Sequence, residues 1–191
     1  MRATPWLLAA GLTLGAGATA VSFAADSRPV ERFTAFAMDL NGRAGRNTAT
    51  VDIAIDHWST DQERDRLLAS LKEKGSDGLL KDLQKADEVG YIRTASSLGY
   101  PLRFAYQSAL PGGGRRILIA TDRRMSFLEL TRNSRTRDYP FTIVELRLGP
   151  NGEGEGKLMP LARVTQYPDD VVEIETYDIQ PVRLTNVKKA S

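Results

Sequence analysis

Thr50-Val51-Asp52-Ile53-Ala54-Ile55-Asp56-His57-Trp58-Ser59-Thr60-Asp61-Gln62-Glu63 holds the change of period that decides the fold. From Thr50 to Trp58 the alternation has a period of two, with Val51, Ile53, Ile55 and His57 on one face and Asp52, Ala54, Asp56 and Trp58 on the other. That pattern is a half-buried β-strand. Thr60 then precedes Glu63 by three residues, the capping-box spacing in which each side chain satisfies a backbone N–H that a helix start leaves orphaned. A strand is followed at once by a helix.

Working outward, Leu67, Leu68 and Leu71 form an apolar stripe that stops at Gly75, and a second start at Ser76-Asp77 leads into Leu79, Leu80 and Leu83. The spacing predicts two consecutive helices, Asp61–Lys74 and Asp77–Ala86, with their leucine faces against a sheet. The run Glu63-Arg64-Asp65-Arg66 reads as a solvated face of mixed sign. Upstream, Phe33–Leu40 is strand-like and Asn41-Gly42 signals a turn. After Gly90 the strand pattern returns at Tyr91–Thr94, Leu102–Leu110, Arg116–Thr121, Ser126–Leu130, Phe141–Leu148, Gly156–Thr165, Val171–Tyr177 and Pro181–Val187. Pro111-Gly112-Gly113-Gly114 and Gly149-Pro150-Asn151-Gly152 supply turn chemistry between them. The expectation is an α+β protein, mainly an antiparallel β barrel or sandwich, with the helical pair inserted at 61–86.

The chain opens with Arg2 and an uncharged stretch from Ala3 to Ala25, in which Trp6-Leu7-Leu8-Ala9-Ala10 leads a short apolar core. Ser22 and Ala24 flank Phe23 as small-x-small, so residues 1–24 read as a signal peptide cut after Ala24. Residues 25–32, polar and containing Pro29, read as a flexible arm, and 33–191 as one globular domain. The expected location is periplasmic or extracellular. Cysteine is absent, which excludes disulfides, cysteine catalysis and a lipid-modified N-terminal Cys. Burial alone must hold such a domain together.

Of the 26 basic side chains, Arg2 leaves with the leader, against 24 acidic ones, so the remaining surface is close to neutral. Generic nucleic-acid binding is not suggested. Once the leader is removed, no second apolar run reaches transmembrane length. The sequence leaves the oligomeric state open.

His57, the only histidine, is the one residue through which neutral-pH imidazole chemistry would pass. A single His at a strand end is more often packed than catalytic, and Asp52 and Asp56 fall on the opposite face. Neither a Gly-x-Ser-x-Gly elbow nor a Ser-x-x-Lys in catalytic context occurs. Glu173 and Glu175 share a strand face, but two carboxylates there read as solvated charge. Gly149–Lys157 lacks P-loop spacing, since Asn151 and Leu158 stand where Gly and Ser or Thr are required. No spacing in the chain implies a metal or cofactor.

The strongest functional signal is arginine density. Between Gly112 and Asp138, Arg115, Arg116, Arg123, Arg124, Arg132, Arg135 and Arg137 face only Asp122, Glu129 and Asp138. Guanidinium forks match carboxylate and phosphate geometry. Arg123, Arg124, Arg132, Arg135 and Arg137 are the candidate binding residues, the last three on an expected exposed loop 131–138. The bland reading is that Arg115/Arg116 and Arg123/Arg124 flank hairpin turns and are merely solvated, or are paired with the acidic C-terminal third.

Trp58-Ser59-Thr60-Asp61…Glu63-Arg64, Gly90-Tyr91-Ile92, Arg116-Ile117…Thr121-Asp122-Arg123, Asp138-Tyr139-Pro140-Phe141 and Glu173-Ile174-Glu175…Pro181-Val182 together resemble a family of uncharacterised secreted bacterial proteins with no assigned function. The resemblance spans roughly 50–187 and implies a single exported domain, without an activity or ligand to carry over. The expected function is an exported non-catalytic binding or interaction module for an anionic envelope component or acidic protein. The alternatives are a small hydrolase using His57, or a carrier of an apolar ligand in a β-barrel cavity.

Overall fold

The computed structural model describes residues 30–39, 47–95, 97–123, 139–166, 171–176 and 180–190. The described strands are β1 (Glu31–Asp39), β2 (Asn47–Ile55), β3 (Gly90–Thr94), β4 (Tyr100–Leu102), β5 (Phe104–Ala109), β6 (Arg115–Thr121), β7 (Phe141–Leu148), β8 (Glu153–Gln166), β9 (Val172–Thr176) and β10 (Val182–Lys189), with one helical element, α1 (Asp61–Lys85), between β2 and β3. Every pairing is antiparallel, in the order β4-β3-β2-β1-β10-β8-β7-β6-β5, with β9 attached to β8 off that path. The expected strand Ser126–Leu130 and the Asn41-Gly42 turn lie outside the described residues.

The sheet curls until its ends nearly meet, because β4 and β5 behave as one stave bent at Arg103. Tyr100–Leu102 pairs with β3, and from Phe104 onward the chain pairs with β6 instead. Arg103 N–H donates to Ala120 O at 3.0 Å, and Val89 N–H donates to Leu102 O at 2.9 Å. The other edge of β5 is met by Ser59, whose N–H donates to Ala105 O at 2.8 Å while its Oγ accepts from Ala105 N–H at 3.1 Å. The result is a nearly closed antiparallel barrel, which leaves little unpaired edge.

Two apolar cores lie on opposite sides of the barrel wall. Phe33, Val51, Ile53, Ile55, Ile92, Leu102, Ile117, Ile119, Val144, Leu146, Leu158 and Leu184 fill the interior. Outside, Leu67, Leu71, Leu79 and Leu83 of α1 cover Phe104, Phe141, Ile143, Met159, Ala162 and Val164. Period-two alternation thus supplies an inward set for the barrel and an outward set for the helix.

The two expected helices are joined into one element with a break at Gly75, where φ is 67° and ψ is −164°. That conformation is essentially confined to glycine. The capping box forms as expected, Thr60 N–H donating to Glu63 Oε2 at 2.7 Å and Glu63 N–H to Thr60 Oγ1 at 3.2 Å. Past the break, Ser76 Oγ donates to Val164 O at 2.6 Å, and Arg103 Nη1 donates to Ala86 O at 3.1 Å. The half past the break is therefore tied to the wall at both of its ends.

The expected strand Thr50–Trp58 ends at Ile55. A bend at Asp56-His57 turns the chain, so Trp58 packs against the barrel interior while His57 is exposed. Further along, β8 changes partner, from β10 over Glu153–Leu158 to β9 over Ala162–Gln166. Pro160, which has no N–H to donate, sits at that change and at the irregularity between Phe141 and Ile143 in the β7 pairing. No helix of the described residues is long and apolar enough to cross a membrane.

Candidate functional site

Strand register assembles the outer face of β5, β6, β7, β8 and β10 row by row. Nearest the helix, Phe104, Ala120, Ile143 and Met159 stand side by side. The next row is Tyr106, Leu118, Glu145, Lys157 and Arg183, and the one beyond it Ser108, Arg116, Arg147 and Glu155. The face therefore grades from apolar beneath α1 to charged where α1 no longer covers it.

The apolar end is a cleft of about 260 Å³, roofed by leucines of α1, floored by Leu118 and Ala120, and walled by Val164, Val172 and Ile174 of the β8–β9 extension. Arg64 and Arg116 stand on its border. The cleft lies outside the barrel wall, whose interior is taken up by the first core.

Arg64 is held on all sides. Its Nη1 donates to Asp61 Oδ1 at 2.9 Å and to the Tyr106 hydroxyl, its Nη2 donates to Asp65 Oδ1 at 2.8 Å, and its guanidinium lies 4.9 Å over the Tyr106 ring centroid. Tyr106 in turn donates to Asp61 Oδ1 at 2.6 Å, and this hydrogen bond to a carboxylate raises the pKa of its phenol. With two carboxylates against one guanidinium, this border is closed to a further anion.

The opposite border is electropositive. Arg116 Nε and Arg147 Nε both lie 2.9 Å from the same atom, Glu145 Oε1. Burial by itself raises the Glu145 carboxyl, but the hydrogen bond from Arg147 and the nearby Arg116 charge outweigh it and hold the group below the usual carboxylate range. Arg147 Nε donates to Glu145 Oε1, whereas Arg116 Nε, though as near, makes no hydrogen bond, and the Nη groups of neither guanidinium hydrogen-bond a described residue. Beyond them a second cleft, of about 380 Å³, is lined by Glu145, Arg147, Glu155, Lys157 and Arg183. Lys157 and Arg183 are direct cross-strand neighbours, both exposed, and neither meets a carboxylate among the described residues. Like charges placed directly opposite destabilise a sheet unless something neutralises them.

His57 is exposed in the bend after β2, with no hydrogen-bond partner among the described residues, and the Glu63 carboxylate is occupied by Thr60. Arg123 is exposed just past β6. Arg124, Arg132, Arg135 and Arg137 lie outside the described residues. Arg115 pairs not with the C-terminal third but with Glu31 of β1, at 2.9 Å. No group of three or more His, Asp or Glu is placed to hold a metal ion among the described residues.

Sequence reading missed Arg147, Lys157 and Arg183 as a group, and counted Arg116 without placing it. Their signal was available only in part. Alternation marks Glu145 and Arg147, and Glu155 and Lys157, as same-face pairs. It is the β8–β10 pairing, which skips β9, that brings Arg183 beside Lys157. Comparison with protein-family models, with curated proteins and with solved structures finds no match for this chain.

Proposed function

We propose that this protein is an exported, non-catalytic binding module, acting in the periplasm or outside the cell, and that it engages an anionic partner on the outer face of its barrel. The observation carrying this reading is the Lys157–Arg183 pair, like charges side by side on adjacent strands, neither meeting a carboxylate among the described residues. Arg116 and Arg147 extend the positive surface and keep guanidinium donors unspent. A guanidinium fork and an ammonium together suit carboxylate or phosphate groups. Export rests on the leader pattern of residues 1–24.

Catalysis through His57 draws no support from its surroundings, since nothing among the described residues orients the imidazole. The apolar-carrier alternative is favoured by one observation, the cleft beneath α1, although that cleft is outside the barrel.

The test is fluorescence anisotropy with a labelled oligoglutamate, comparing the natural chain with a Lys157→Gln/Arg183→Gln variant. Loss of two charge-assisted contacts should weaken binding about tenfold or more, and added salt should weaken it further. Equal affinity in the two proteins would remove this face as the anion site.

A further inference from the structure

We infer that the ligand is a single-chain anionic amphiphile, its tail in the cleft beneath α1 and its phosphate or carboxylate head on Arg116, Arg147 and Lys157. This rests on the anion-binding reading above and adds the chemical class of the ligand.

The two clefts are parts of one surface. Arg116 borders the apolar cleft, and the Glu145 carboxylate that it contacts at 2.9 Å lines the charged one. In register, Leu118 of the apolar floor lies directly opposite Glu145, and Glu145 directly opposite Lys157. At roughly 4.8 Å between neighbouring strands, Lys157 is about 10 Å across the sheet from Leu118. An extended chain leaving the apolar end reaches the cations without turning a corner.

Charge fixes which end takes the head. At the Arg64 border, Asp61 and Asp65 already outnumber the guanidinium. On the other side, Arg116, Arg147, Lys157 and Arg183 stand, among the described residues of these rows, against Glu145 and Glu155. An anion is thus drawn to one border and repelled from the other. The two guanidinium groups meet at one carboxylate oxygen through Nε, and their Nη groups, which hydrogen-bond no described residue, are donors left for the oxygens of a head group.

Size sets the tail. With a methylene taken as comparable to a water's share of liquid volume, roughly 30 Å³, the cleft of about 260 Å³ accepts about nine such groups. The wall is continuous apolar side chain, so affinity should rise with each carbon until that length is reached.

Isothermal titration with butyl, hexyl, octyl and decyl phosphate, each below its micellar concentration, reads this directly in the natural protein. The expected result is about a fourfold gain per added methylene up to about nine carbons and little beyond, with decyl maltoside, the same tail on an uncharged head, binding at least tenfold more weakly than decyl phosphate. Arg147→Gln should weaken decyl phosphate severalfold and leave decyl maltoside unchanged, while Ala120→Phe, which fills the cleft floor, should remove the chain-length gain and leave butyl phosphate unchanged. Equal affinity for butyl and decyl phosphate would overturn the inference while leaving the anion-binding reading in place, as would happen if other parts of the chain filled the cleft. Equal affinity for decyl phosphate and decyl maltoside would overturn the anionic head. Absence of binding by every phosphate and by oligoglutamate would overturn both readings.

Discussion

Replacing Gly75 with Ala should destabilise this protein, although the same change inside an exposed helix normally stabilises by about 1 kcal/mol. At 100° per residue, an uninterrupted helix would place Leu79 about 120°, and Leu83 about 160°, around the axis from Leu67. Those leucines could not all face one sheet. The break at Gly75 resets the phase, so that Leu67, Leu71, Leu79 and Leu83 reach the same outer core.

Gly75→Ala has two ways to respond. Straightening the helix gains the propensity difference but uncovers Leu79 and Leu83, at a cost of roughly 3–6 kcal/mol for the two side chains. Keeping the break forces Ala into a conformation that costs about 1–3 kcal/mol. A Cβ there meets no atom within 4 Å, so backbone conformation is the whole penalty. The second route is cheaper, and after the roughly 0.4–1 kcal/mol by which Ala stiffens the unfolded chain, a net loss of about 1–2 kcal/mol is expected. Urea unfolding followed by circular dichroism should show a lower midpoint at unchanged slope, with the exposed helix variant Glu73→Ala close to the natural chain. A midpoint raised by Gly75→Ala would refute the phase argument, because it would mean that the helix runs straight without penalty.

The capping box gives a second expectation: Thr60→Ala should cost about 1 kcal/mol in the same unfolding assay, and an unchanged midpoint would detach the cap from stability. Phe141 is fully buried between the wall and α1, so Phe141→Ala should cost about 3–5 kcal/mol. Phe36→Ala, on a partly exposed outer position of β1, should stay within about 0.5 kcal/mol, and similar losses at the two sites would contradict the assignment of the outer core. Acidification supplies a fourth test. Burial raises the Glu31 carboxyl, but Lys189 and Arg115 outweigh it, and Glu145 is likewise held below its ordinary value of 4.5 by Arg147 and Arg116. A depressed folded value means that this contribution to stability is present above the unfolded pKa and is lost as the pH falls through the folded one. Thermal midpoints of the natural chain and of Glu31→Gln/Glu145→Gln should therefore differ at neutral pH and converge in acid, whereas a gap independent of pH would count against the ion pairs.

The fold was legible where local chemistry decides it. Thr60 and Glu63 announce the helix start, Gly75 its interruption, and the alternation of Val51, Ile53 and Ile55 an inward strand face. What alternation leaves open is which strand meets which. Closure depends on Arg103 handing the chain from β3 to β6, and Leu102–Leu110 reads in sequence as one uninterrupted strand. His57 fits the period of β2, yet the bend at Asp56-His57 takes it off that face, because Trp58 and Ser59 are drawn to the barrel end and the β5 edge. The charged row was hidden for the same reason. Residues far apart in sequence are joined by strand register, and clustering along the sequence points instead to the arginines around 123–137.

The most direct test of the anion-binding face is a residue-resolved NMR titration of the isotope-labelled protein with oligoglutamate. Backbone shifts should move at Arg116, Arg147, Lys157 and Arg183, and His57 and the barrel interior should stay still. Shifts confined to residues 123–138, with Lys157 and Arg183 unmoved, would contradict the placement of the site on the outer face of β6, β7, β8 and β10.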